Sequence, residues 1–132
     1  MPIQKFHKAP LSNEGVLPIL INTDHINYLE PSIADQVGSV QIHLSGSKTF
    51  AVIESAPDVL ALFPIQVAHL HAYDPRTNSA WNGRSVFVVV DQLSALVPMP
   101  SVNRVTLVFF DGTELVVQLD VAAHQLLSQF GI

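Results

Sequence analysis

The sequence predicts a mainly β fold made by internal duplication, in which a meander of short strands closed by one short helix occurs twice. Three observations lead there. ILINTDHINYLEP (Ile19–Pro31) falls on FVVVDQLSALVP (Phe87–Pro98), with Asp24 on Asp91 and Pro31 on Pro98. VQIHLSGSKTFAV (Val40–Val52) falls on VTLVFFDGTELVV (Val105–Val117) with its apolar positions in step. Both halves then close on a helical stretch, DVLALF (Asp58–Phe63) and QLLSQF (Gln125–Phe130). Self-similarity of this kind is the mark of a repeated structural unit. The expected packing is two small barrel-like sheets, with one continuous antiparallel sheet in an α+β arrangement as the alternative. Residues 1–14 read as a flexible N-terminal arm, 15–64 as unit A and 65–132 as unit B, packed as one compact domain.

Each element has a local reason. Val40, Ile42 and Leu44 alternate with Gln41 and His43, the period of a half-buried strand. Gly46-Ser47 and Asp111-Gly112 mark tight hairpin turns, because glycine tolerates positive φ. Val105–Phe110 and Phe87–Val90 are nearly unbroken apolar runs, expected of strands covered on both faces. Pro31, Pro98 and Pro100 end strands by removing backbone donors. Ser55 with Asp58 reads as a helix N-cap with an acidic first turn, and Asp120 as the cap of the last helix. Val121, Leu126, Leu127 and Phe130 can share one apolar stripe of that helix. Ile65–Tyr73 is expected to pair with Arg84–Val90 across the turn-rich segment DPRTNSAWNG (Asp74–Gly83).

Composition bounds the function. At 132 residues the chain fits one domain and is too short for two ordinary ones, and with no cysteine it has neither disulfides nor a thiolate metal site. No run of about 18 apolar residues spans a membrane, and the polar first residues carry no secretory pattern; a cytoplasmic location follows as the expectation. Charged residues make up 13% and hydrophobic ones 48%. So few charges imply apolar surface left outside the core, hence a homo-oligomer, ring or dimer. The net charge of −5 argues against binding dominated by phosphate contacts.

Candidate chemistry is sparse. His69 and His71 share one strand face and could give two ligands to zinc, with a third from Asp74 or a distant residue such as His43. Nothing nearby gives the pattern of a known metal site, so two polar strand residues facing solvent or an oligomer seam are the simpler reading. Asp24 and His25 are adjacent and point to opposite faces of a regular strand, which favours a turn role for Asp24 and its counterpart Asp91. Arg76, Asn78, Trp81 and Arg84 sit together in the turn-rich loop and form the candidate binding surface. No nucleophile motif or glycine-rich phosphate loop is present, and no cofactor is expected.

Ile19–Glu30, then the hairpin and Phe50–Ser55 with Asp58-Val59, resemble the FlbD-type flagellar and swarming-motility family; Asn82-Gly83-Arg84 before Phe87 is similar to that family's opening turn. The chain departs from the family in carrying two copies. The run of short strands with Asp-Gly turns is similar in architecture to Sm-like and SH3-like small barrels, which implies ring assembly and, for the Sm-like kind, RNA. LytTR-type DNA-binding domains share a similar strand-and-turn rhythm. The resulting expectation is a non-enzymatic assembly or adaptor protein acting through homo-oligomerisation and protein contacts. An Sm-like RNA-binding ring and a metal-dependent enzyme using His69 and His71 are the alternatives.

Overall fold

The alternating segments become ladders in a computed structural model, which describes residues 3–8, 17–31, 40–62, 66–76 and 78–131. In chain order they are β1 (Ile3–Lys8), β2 (Leu17–Asn22), β3 (Ile26–Pro31), β4 (Val40–Leu44), β5 (Lys48–Val52) and α1 (Ala56–Leu60). Then come β6 (Val67–His71), β7 (Ser85–Val89), β8 (Leu93–Met99), β9 (Arg104–Phe109), β10 (Glu114–Gln118) and α2 (Val121–Ser128). Short 3-10 turns at Thr23–His25 and Val90–Gln92 form the corners between β2 and β3 and between β7 and β8. One order of elements therefore occurs twice. A bulge falls between Ile26 and Tyr28 in β3 and between Leu93 and Ala95 in β8, positions that the repeat superposes.

The large sheet runs β2-β1-β5-β4-β3-β7-β6, a smaller one runs β10-β9-β8, and all the pairings are antiparallel. An isolated bridge, Ala72 to Val117, ties the end of β6 to β10 just as Lys8 meets Val52 between β1 and β5. The barrel-like expectation needs correcting. Among the described residues no closed barrel forms, because β3 gives its outer edge to β7 through Tyr28–Val88 and Leu29–Phe87. The alternative of one continuous antiparallel sheet is the arrangement observed for seven of the strands.

Two apolar clusters lie on this framework. The first gathers Phe6, Ile21, Ile26, Leu29, Val40, Ile42, Val52 and Val59, and takes in Val89 from β7. The second gathers Leu70, Val86, Val88, Val105, Leu107, Phe109, Leu115, Val117, Leu126 and Leu127, with Tyr28 of β3 packed against it. Each strand at the junction thus serves the other unit's core. Ser55 Oγ accepts from the Asp58 N–H at 3.4 Å and Asp120 Oδ1 from the Ala123 N–H at 3.0 Å, as a cap should.

Other details differ from expectation. Ile3–Lys8, assigned to the arm, form β1 with Phe6 buried, while residues 1–2 and 9–14 lie outside the described ones. Strand β9 buries only every second side chain, and Phe110 is 71% exposed, so its apolar run does not mean cover on both faces. Leu126 and Leu127 are buried, but Val121 and Phe130 are exposed, so the stripe of α2 is narrower than its composition implies. Strands β6 and β7 pair from Val67–Val89 to His71–Ser85, the hairpin anticipated between them; Ile65 and Phe63 lie outside the described residues. No helix among the described residues is long and apolar enough to cross a membrane.

Truncating the junction tests this packing. Leu29 is fully buried where β3 meets β7, and Leu29→Ala is expected to cost about 2–5 kcal/mol in equilibrium urea unfolding. Leu20→Ala, at an exposed position of β2, is expected to change stability by no more than about 0.5 kcal/mol.

Candidate nucleic-acid interface

The loop between β6 and β7 does not present its polar residues as one surface. Arg76 is exposed and forks onto Asp74, with its Nε 3.0 Å from both carboxylate oxygens and a terminal nitrogen 2.6 Å from Oδ2. Those bonds, with one from Ser79, hold the Asp74 carboxyl well below the usual range. Asn78 takes a left-handed conformation, φ 63°, and is exposed. Trp81 packs against the second core. Arg84 turns the other way, toward unit A. Of the four, then, Arg76 and Asn78 face solvent while Trp81 and Arg84 are structural.

Arg84 closes a charged cluster at the junction. Its guanidinium lies 2.9 Å from Glu30 Oε2 and donates to the Pro31 carbonyl at 2.8 Å. His43 Nε2 lies 3.0 Å from the other Glu30 oxygen, and the His43 ring stacks on Tyr28 at 4.0 Å. Glu30 is nearly buried, which is tolerable only because both oxygens have partners. Burial first, then the nearby Glu30 carboxylate, push the Tyr28 phenol up to about 12. Farther along the seam, Asp111 accepts from the Gly46 N–H at 2.8 Å and from Thr113 Oγ1 at 2.7 Å. Partial burial works against its ionisation, yet the bonds from Thr113, Gly46 and Asn27 win and hold it low.

The histidines are held singly. His69 Nε2 meets Ser85 Oγ at 2.9 Å, His71 Nδ1 meets Asp120 Oδ2 at 2.8 Å, and the two rings stand 5.1 Å apart. Burial and then the adjacent His71 lower the pKa of His69. Among the described residues no group of three side chains is placed to hold a metal. Unit A repeats the motif, with His7 Nδ1 2.8 Å from Glu54 Oε2.

Sequence reasoning missed Arg104. It opens β9, just after Asn103 in a left-handed turn (φ 56°), and its guanidinium stands 5.7 Å from the centre of the Tyr73 ring. Its Nε is buried without a hydrogen-bond partner, and no carboxylate pairs with it among the described residues. Gln118 faces it across the β9–β10 ladder and donates to Asn82 Oδ1, which also accepts from the Asp74 N–H. Tyr73, Asn82, Asn103, Arg104 and Gln118 thereby gather at one end of unit B, with Arg76 beside them. The only advance signal was an Asn-Arg pair following a turn; Tyr73 lies far from it in sequence.

No family model matches the chain, and no curated protein matches it by sequence. Among solved structures its fold is similar to a LytTr DNA-binding domain of a putative methyl-accepting/DNA response regulator from Bacillus cereus. The two are 15% identical, the match covers 98% of this chain and 97% of that one, and the TM-score is 0.57.

This likeness overturns several expectations. The FlbD-type and Sm-like or SH3-like resemblances find no support, because alternating apolar residues and Asp-Gly turns are common to many small β folds. The homo-oligomeric adaptor acting through protein contacts and the Sm-like RNA ring give way with them. The low expectation for nucleic acid is also revised. It rested on net charge, a sum over the whole chain that does not describe a local surface such as that of Arg104, which no carboxylate pairs with among the described residues.

The Tyr28 shift makes a pH prediction. The phenol is raised in the folded chain from 10.0 to about 12, so its contribution is intact below pH 10 and is lost as the pH rises toward 12. Chemical denaturation between pH 9 and 12 is expected to show stability falling across that window, and falling less in Tyr28→Phe.

Proposed function

We propose that this chain is a DNA-binding module without enzymatic activity, working in the cytoplasm. The observation that carries the reading is the likeness in fold, over nearly the full length of both chains, to a LytTr DNA-binding domain. The surface best suited to the task is the end of unit B that holds Arg104, Tyr73, Asn82, Asn103 and Gln118. Arg104 supplies a guanidinium with no carboxylate partner among the described residues. Its Nε is buried and one terminal nitrogen lies 3.8 Å from Met99 Sδ, so the terminal nitrogens are the groups suited to a phosphate or a base edge. Asn82, Asn103 and Gln118 add amide groups, which can read base edges or position the backbone.

Magnitudes limit the binding mode. Each phosphate neutralised contributes a slope of about −0.9 to log affinity against log salt, so about two or three contacts give about −2 to −3. The chain has six lysines and arginines in all, and Arg76 and Arg84 are already paired with carboxylates. Affinity must then come largely from polar and base-edge contacts, which makes binding depend on sequence. Selection from a random duplex pool, followed by anisotropy titrations at several salt concentrations, tests the reading. A selected duplex is expected to bind with that shallow slope, and Arg104→Ala is expected to weaken binding and flatten the slope by about 1. Failure to enrich any duplex, or unchanged affinity in Arg104→Ala, would count against it.

A further inference from the structure

The hairpin β4–β5 of unit A and the hairpin β9–β10 of unit B face each other across a cleft of about 260 Å³. The Asp111 bond to the Gly46 N–H ties the two tips together without filling the space. Asn27 and Tyr28 line the cleft from β3, Lys48 and Thr49 from one hairpin, Thr113 and Glu114 from the other. Asn27 sits on the β3 bulge and is 3% exposed, and its Oδ1 is buried with no hydrogen-bond partner. A buried acceptor in that condition costs free energy until a donor reaches it. Lys48 and Glu114 bring opposite charges from opposite hairpins, and neither forms an ion pair among the described residues.

A polar cleft with one unspent cation, one unspent anion and a set of hydroxyl and amide groups is complementary to a small molecule carrying both charges. We infer that this cleft binds a small zwitterion of the α-amino-acid class, its carboxylate at Lys48 and its ammonium at Glu114. Small-ligand sites combine concavity with a few convergent polar groups, and here those groups come from both repeats. An occupant would therefore bridge unit A and unit B directly. Its size is limited to a compact side chain by the volume of the cleft. The inference does not depend on DNA binding and can be tested without DNA.

Thermal unfolding of the full chain with each of the standard amino acids at millimolar concentration is the experiment, with acetate and methylammonium as single-charge controls. One or a few compact amino acids are expected to raise the midpoint by about 4 °C or more, and neither control should do so. Lys48→Glu and Glu114→Lys are exposed changes, and each alone is expected to abolish the shift. The double exchange should restore it at least in part, because a zwitterion can bind the other way round. Circular dichroism of the unliganded variants keeps misfolding separate from lost binding. No shift with any amino acid, equal shifts with the single-charge ions, or a shift that survives both single changes would overturn the inference.

Discussion

Two backbone pairings, Tyr28 with Val88 and Leu29 with Phe87, carry the sheet from the first repeat into the second. A ladder so short adds little by itself, since each net hydrogen bond is worth only about 0.5–1.5 kcal/mol. What fixes it is the material stacked on both sides. Val89 completes the core of unit A, and Tyr28 leans on the core of unit B. The Glu30–Arg84 ion pair then closes over the joint, with His43 on the second carboxylate oxygen. Because Glu30 is almost buried, a slipped register would strand a charge away from water, which penalises alternative pairings by several kcal/mol.

From this junction the rest of the geometry follows. Spending the β3 edge on β7 leaves unit A open and the sheet continuous, and it brings the hairpin tips of the two units within reach of the Asp111–Gly46 bond. The cleft beside that bond is lined by β3 and by residues of both hairpins. At another end of unit B, where Tyr73 and Arg104 meet, Gln118 and Asn82 bond to each other and Arg104 has no carboxylate partner among the described residues. Structure and proposed function are thus divided between the two ends of one unit.

Much of this was legible in the sequence. The repeat alignment located matching corners, bulges and helices because apolar alternation and Gly or Asp turns are local properties. The caps Ser55 and Asp120 were readable for the same reason. What stayed hidden depends on residues far apart in the chain. Glu30 and Arg84 are separated by the whole middle of the molecule, so Arg84 looked like a free cation in a polar loop. Ile3–Lys8 read as an arm because Lys5 and Lys8 mask the alternation that buries Phe6. Arg104 lay in a strand that looked wholly apolar beyond its first residue, and its aromatic partner lies across the unit. Net charge, a sum over the whole chain, does not say where single charges stand, such as Arg104 without a carboxylate partner among the described residues.

Chemical-shift mapping of the ¹⁵N-labelled chain, titrated with a duplex recovered by selection, tests the central claim most directly. Binding through the end of unit B predicts perturbations concentrated on Tyr73, Asn82, Asn103, Arg104 and Gln118, with the buried junction around Leu29 and Val88 unmoved. Perturbations elsewhere on the surface would move the interface to another face, and a spectrum unchanged by any duplex would contradict DNA binding itself.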